Sequence, residues 1–241
     1  MKLARSICRL QILLCTIALT QCVRAQTLDL SAHVKVTKGR GGNDSSQHAS
    51  ADVVIWLTPT HEDEGAAPLR GPQKYTLAQK DKQFIPHILV VRTGSSVDFP
   101  NLDPFYHNVF SLFNGKRFDL GLYEAHTTRV VRFDRDGVSY IFCNIHPEMG
   151  AVVISLSTPY FGVSTPEGNV TIHGVPAGSY RLNVWAENVP VDRLSALSRV
   201  VEVSPSNTQL GTFELQASGD IMTHHQNKFG ESYPPDAKDK Y

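Results

Sequence analysis

The chain has 241 residues and sets 23 Lys and Arg against 23 Asp and Glu, so its formal net charge is zero. No basic block stands out, which argues against nucleic acid as a partner. With 41% hydrophobic and 9% aromatic residues, the composition is that of a globular protein with a real core, in one large domain or two small ones.

The N-terminus reads as an export signal. Lys2, Arg5 and Arg9 precede an apolar run over residues 10–20, and the small residues Val23 and Ala25 set a cleavage point near Ala25. The run is too short to span a bilayer, which needs about 20 apolar residues. Residues 1–25 are therefore expected to be a signal peptide, and the mature protein to be periplasmic or secreted. A lipid anchor at Cys22 is the lesser alternative, because Gln21 stands where a small residue is expected. Cleavage removes Cys8, Cys15 and Cys22 and leaves Cys143 alone. An unpaired cysteine in an oxidising compartment is a liability unless something protects or uses it. The mature chain keeps 19 basic and 23 acidic residues.

Beyond the signal no stretch has convincing helical periodicity. Short strand-like runs recur instead, at 28–36, 51–57, 85–91, 97–99, 130–133, 138–143, 151–156, 169–172, 180–185, 199–203 and 211–215, with Gly, Pro, Asn and Asp between them. That spacing predicts an all-β sandwich class. Residues 39–50 and 61–71 read as loops, the second carrying the acidic triplet Glu62, Asp63 and Glu64, which reads as solvated. Residues 218–241 are polar and read as a mobile tail, in which His224 and His225 are solvated rather than metal-binding.

The informative segment runs Tyr140-Ile-Phe-Cys143-Asn-Ile-His146-Pro-Glu-Met149. It offers a thiolate, an imidazole and a thioether within seven residues, a set that suits a soft, redox-active copper: two His and one Cys in a plane, with a weak axial Met. Alternation along 138–143 puts Cys143 on one face with Ile141 and Ser139. Pro147 stiffens the loop that brings His146 and Met149 round. A further ligand, His107, comes from Asn101-Leu-Asp-Pro-Phe-Tyr-His107-Asn108, which follows the strand at 97–99 and reads as a connection. Phe105 and Tyr106 flank His107 and either shield a metal or belong to plain core. His87 reads as an ordinary surface or satisfied histidine, His126 and His173 as solvated, and Trp56 and Trp185 as core anchors. Zinc fits the set less well, because thioether is a poor zinc ligand. Covalent haem would need Cys-x-x-Cys-His, which is absent.

A His-Asn-Val segment paired with a strand ending in Cys-x-x-His resembles the plastocyanin-type cupredoxins, and the Cys-x-x-His-x-x-Met spacing is similar to amicyanin. The resemblance spans residues 84–154. It implies that His107, Cys143, His146 and Met149 are the ligands of one type 1 copper, and that the amide and backbone of Asn108 tie the His107 loop to the ligand loop. Residues 72–156 are then a copper domain with the cupredoxin Greek-key fold.

Downstream, Glu167-Gly-Asn-Val-Thr-Ile-His-Gly-Val-Pro-Ala-Gly-Ser-Tyr-Arg-Leu-Asn-Val-Trp185 resembles the prealbumin-like (carboxypeptidase regulatory-like) β-sandwich. Two strands that such a sandwich needs are missing from 157–217, and the runs inside 26–71 look like them. The expectation is a copper domain inserted into that sandwich, with 218–241 as a flexible tail.

These features imply an exported one-electron carrier that is not an enzyme, needs no small-molecule substrate, and docks redox partner proteins transiently near His146 through Asn144, Ile145, Pro147 and Glu148. Copper storage or delivery is a rival, weakened by the few Met and single Cys of the mature chain. A multicopper enzyme would need a His-Cys-His run, and none is present. A surface interaction module with incidental copper is the third reading.

Overall fold

A computed structural model describes residues 26–38, 51–61, 73–112, 115–218 and 225–233. The export signal, the acidic triplet at 62–64 and His224 lie outside the described residues. Strands β1 (Thr27–Lys38) and β2 (Val54–Pro59) come first. They are followed by β3 (Lys74–Thr76), β4 (Ala78–Lys80), β5 (Gln83–Ile85), β6 (Ile88–Arg92), β7 (Ser95–Pro100), β8 (His107–Ser111) and β9 (Phe118–Tyr123). Next are β10 (Thr128–Phe133), β11 (Gly137–Cys143), β12 (Gly150–Leu156), β13 (Phe161–Val163), β14 (Asn169–Pro176) and β15 (Gly178–Trp185). One short helix, α1 (Val191–Ala196), precedes β16 (Arg199–Val203) and β17 (Gln209–Ala217). The all-β expectation holds. Helix α1 escapes a periodicity search because six residues are under two turns.

The N-terminal strands pair with the C-terminal ones. Strand β1 lies between β14, antiparallel, and β17, parallel, while β2 lies between β13 and β15, both antiparallel. Strict alternation explains their burial: Leu30, Ala32 and Val34 of β1 point inward, with Asp29, His33 and Lys35 outward. They pack with Ile55 and Leu57 of β2, Ile172 of β14, Tyr180 and Leu182 of β15, and Phe213 of β17.

Between these strands in sequence, two further sheets enclose a second core. One has the order β10-β7-β3 and the other β6-β12-β11-β8-β9. Val97, Phe99, Val131 and Phe133 from the first meet Val109, Ile141, Cys143, Ala151 and Val153 from the second.

Strands β6 and β12 of the five-stranded sheet face a core on each side. Along β12, Ala151 and Val153 join the core around Cys143, while Val152, Ile154 and Leu156 join the core built on β1 and β15. Strand β6 divides likewise, with Val91 on one side and Ile88 and Val90 on the other. A strand buried on both faces needs a continuous apolar run, which is what Gly150–Leu156 carries.

Residues 225–233 of the polar tail lie against β11. The polar composition hides a few specific contacts: the His225 ring stacks on Phe142 at 4.1 Å, and Tyr233 Oη donates to the Cys143 carbonyl over 2.7 Å.

Candidate metal centre

The site forms where β11 ends. Register pairs Cys143 with Val109 and Phe142 with Phe110, so antiparallel β8 overhangs the end of β11 by two residues and carries His107 over the loop that follows. His107 is thus the first residue of a strand, not part of a connection as its sequence context suggests. His and Asn at the head of His107–Ser111 mask the strand pattern, although all five residues are buried.

The loop after Cys143 folds back tightly. Met149 N–H donates to the His146 carbonyl over 3.2 Å, and Cys143 N–H donates to the Met149 carbonyl over 3.1 Å. This turn carries His146 and Met149 back beside Cys143. His146 is 3% exposed, not the surface residue a short loop suggests, and Met149 is 1% exposed in the same core as Cys143.

Three donor atoms converge. Cys143 Sγ lies 3.6 Å from His107 Nδ1 and 3.4 Å from His146 Nδ1, and the two Nδ1 atoms are 3.1 Å apart. A triangle of this size has corners about 2 Å from its centre, near the metal–nitrogen and metal–thiolate bond lengths of roughly 2.0–2.3 Å. The buried His107, Cys143 and His146 can therefore hold a metal ion, and a thiolate with two imidazoles suits copper.

The electrostatics prepare the donors. His107 Nε2 lies 2.9 Å from Asp103 Oδ2, and both side chains are buried. Burial raises the Asp103 carboxyl, but donation from His107 and from the Lys82 and Asp81 amides overrides it and holds the group below the usual range. Burial pushes His107 down despite Asp103, so the imidazole is neutral. Its proton sits on Nε2, facing the carboxylate, and its Nδ1 lone pair faces Cys143 and His146. Burial first, then the neighbouring His107 and Lys82, push His146 down to about 4. The Cys143 thiol is raised by burial, against amide hydrogen bonds from Asn108, Ile145 and His146 that favour the thiolate. A metal must displace that proton, and the amides are already aimed at the resulting charge.

Surrounding side chains close the site. The Phe105 ring lies 5.4 Å from the His107 ring and 5.6 Å from the His146 ring, and so covers both. Tyr106 is 50% exposed and shields nothing. The Asn108 carbonyl accepts from Asn144 N–H over 2.8 Å, tying the two ligand segments together through backbone. The Asn108 side-chain carboxamide, unlike its backbone N–H, points elsewhere, donating to Asp119 on β9 over 3.3 Å. His87 is no ligand: it contacts the Gly150 carbonyl at 3.2 Å and Glu187 at 2.9 Å. His173 is solvated and pairs with Asp29, and Trp185 is core. A groove of about 560 Å³ runs past His146, lined in part by Lys82, His87, Pro147 and Glu148.

Two residues escaped sequence reading. Asp103 looks like a turn former before Pro104; its signal is the spacing of four residues to His107. Tyr233 stands in a polar tail with no local pattern to mark it.

No family model matches the chain, and no curated protein matches it. Among solved structures it is similar to a purple cupredoxin from Nitrosopumilus maritimus, with 20% identity over 34% of this chain and 98% of that chain, TM-score 0.31. It is similar to a reduced amicyanin variant, with 19% identity over 42% and 99% of the two chains, TM-score 0.32. It is also similar to a copper-containing nitrite reductase from Thermus scotoductus, with 17% identity over 51% of this chain and 28% of that one, TM-score 0.35.

Proposed function

We propose that the protein is an exported type 1 copper protein that carries single electrons between partner proteins. The observation that carries this reading is the buried convergence of Cys143 Sγ with the Nδ1 atoms of His107 and His146. Bound copper supplies the one-electron Cu(I)/Cu(II) couple. His107, Cys143 and His146 would hold it, and Met149, buried in the same core, would offer a thioether as a further soft donor. Asp103 keeps the His107 proton on Nε2, and the amides of Asn108, Ile145 and His146 stabilise the thiolate. Phe105 excludes water. Strain-free reduction and oxidation need ligands that stay in place, and these are held by strand register and by backbone hydrogen bonds.

In this reading residues 72–156 are the copper domain, and the flanking strands form a prealbumin-like sandwich that it interrupts. The pairing of β1 and β2 with strands beyond residue 158 supports the interruption. Redox partners dock transiently beside His146, over the groove edged by Pro147 and Glu148. The signal-like segment at 1–25 supports export. No turnover of a small substrate is part of the proposal.

Copper loading tests it. Cu(II) added to metal-free protein should give an intense visible thiolate charge-transfer band that ascorbate bleaches and ferricyanide restores. A pale complex without that band would reject type 1 copper and leave delivery or storage as the better account.

A further inference from the structure

We infer that residues 225–233 form a C-terminal strap that belongs to the metal centre, with Tyr233 as a positioning residue for Cys143. Its consequence for electron transfer rests on the copper reading above; its structural claim does not.

The strap is a folded turn, not a trailing chain. Asn227 Oδ1 accepts from the amides of Phe229 and Glu231 at 2.9 and 3.0 Å, and Gly230 N–H donates to the Asn227 carbonyl over 3.0 Å with φ at +79°. A positive φ suits glycine there. The turn is seated at three points, two on the cysteine segment and one on β9. Tyr233 Oη donates to the Cys143 carbonyl over 2.7 Å. Lys228 N–H donates to Asn144 Oδ1 over 2.9 Å. Lys228 Nζ lies 2.8 Å from Asp119 Oδ2, the carboxylate that also receives the Asn108 amide.

These contacts complete a clamp round the thiolate. The Cys143 N–H is fixed by Met149, and the Cys143 carbonyl by Tyr233. With the peptide groups on both sides of its Cα held, the direction of the Cα–Cβ bond is set, and Sγ keeps only rotation about that bond, which its burial and the Asn108, Ile145 and His146 amides restrict. His225 supports the phenol. Its ring stacks on Phe142, and Nε2 lies 3.1 Å from Tyr233 Oη. A phenol donating to Cys143 accepts at that contact. One strap thus touches Phe142, Cys143 and Asn144 in the cysteine segment and, through Asp119, Asn108 in the other.

The test uses the full chain and two variants, Tyr233→Phe and Lys228→Met. In metal-free protein, iodoacetamide labelling followed by peptide mapping reads the rate at Cys143. Tyr233→Phe should speed labelling about fivefold, the equilibrium weight of one hydrogen bond, and Lys228→Met should act in the same direction. In copper-loaded protein, Tyr233→Phe should shift the thiolate charge-transfer band and weaken copper binding about tenfold, as loss of an outer partner does. A strap that merely covers the surface leaves that band where it is. Wild-type labelling rates in both variants would overturn the inference. Failure of the unaltered chain to take up copper would instead sink the proposed function, while the labelling rates still decide whether the strap holds Cys143.

Discussion

Asp103 Oδ2 accepts from Nε2 of His107 over 2.9 Å, in a pocket where neither side chain meets solvent to any extent. The carboxylate also accepts the Asp81 and Lys82 amides, at 2.6 and 3.1 Å. A single buried charge therefore anchors the 81–82 turn, the 101–105 loop and one metal-facing imidazole. Its negative charge favours the more positive oxidation state of a bound ion.

Asp103→Asn tests that arrangement. The amide carries no charge and must turn its NH₂ toward at least one group that already donates. Copper binding should weaken about 10- to 100-fold. Because Cu(II) loses more than Cu(I), the reduction potential should rise, by about 59 mV for each tenfold difference between the two. Urea unfolding of the metal-free variant should show a loss of about 1.5–3 kcal/mol, the range for hydrogen bonds to a charged group. An unchanged potential would mean that Asp103 is structural only.

Cys143→Ser and Met149→Leu separate the donors. A hydroxyl cannot replace the soft anionic thiolate, so the serine variant should lose the intense band and most tight Cu(II) binding. Met149→Leu nearly conserves volume, so the fold should survive with a loss under about 1.5 kcal/mol. It should keep the colour and raise the potential, since loss of an axial donor disfavours Cu(II). Titration of copper into each variant with voltammetry reads both outcomes.

Much of the site could be read from sequence, for a physical reason. Cys143, His146 and Met149 are close in the chain, and the alternation of Val138–Cys143 already says which face Cys143 takes. The donor types name the chemistry without any tertiary information. The sequence marks His107 as a candidate donor but hides its strand, because His107 and the polar Asn108 interrupt the apolar pattern of β8. Asp103 and Tyr233 were invisible for a different reason. Each acts through one long-range hydrogen bond, and a hydrogen bond between distant residues leaves no period or composition behind. The short strands β3 and β4, three residues each, are too brief to carry a pattern.

The His87–Glu187 pair gives stability a pH dependence. Donation of a hydrogen bond to the Glu187 carboxylate raises His87 above its ordinary 6.5, outweighing burial, with smaller help from the Gly150 carbonyl and Asp52. A histidine raised in the folded state contributes fully below its unfolded value, and that contribution is lost as pH rises through the raised value. The His87 side chain is 42% exposed, so the effect is small, within the roughly 0–1 kcal/mol of exposed pairs. The gap in denaturation midpoint between the unaltered chain and Glu187→Gln should shrink as pH rises from 6.5 through the raised His87 value. Taking the difference cancels the opposite slope from His107 and His146, whose lowered values add stability as pH rises towards 6.5.

A domain with its own core can in principle fold alone, and the two-faced sheet argues against that here. Ile88, Val90, Val152, Ile154 and Leu156 are all at most 9% exposed, and their partners are the strands of the flanking sandwich. Tyr140 of the same sheet packs against the same core. Cutting out residues 73–156 uncovers this face. Full burial of one such side chain contributes about 1.5–3 kcal/mol, so five approach the whole stability of a small domain, about 5–15 kcal/mol. The excised segment should therefore self-associate, bind a hydrophobic dye, or fail to fold. Replacing Ile88, Val90, Val152 and Ile154 with Thr keeps β-branched side chains suited to strands while making the outer face polar, and should yield a soluble monomer that still binds copper. The inner core and the donors are untouched by these changes. Sedimentation and copper titration of both segments decide the matter: an unmodified segment that is monomeric, cooperative and copper-binding would show that the shared face is not needed for the copper domain to stand alone.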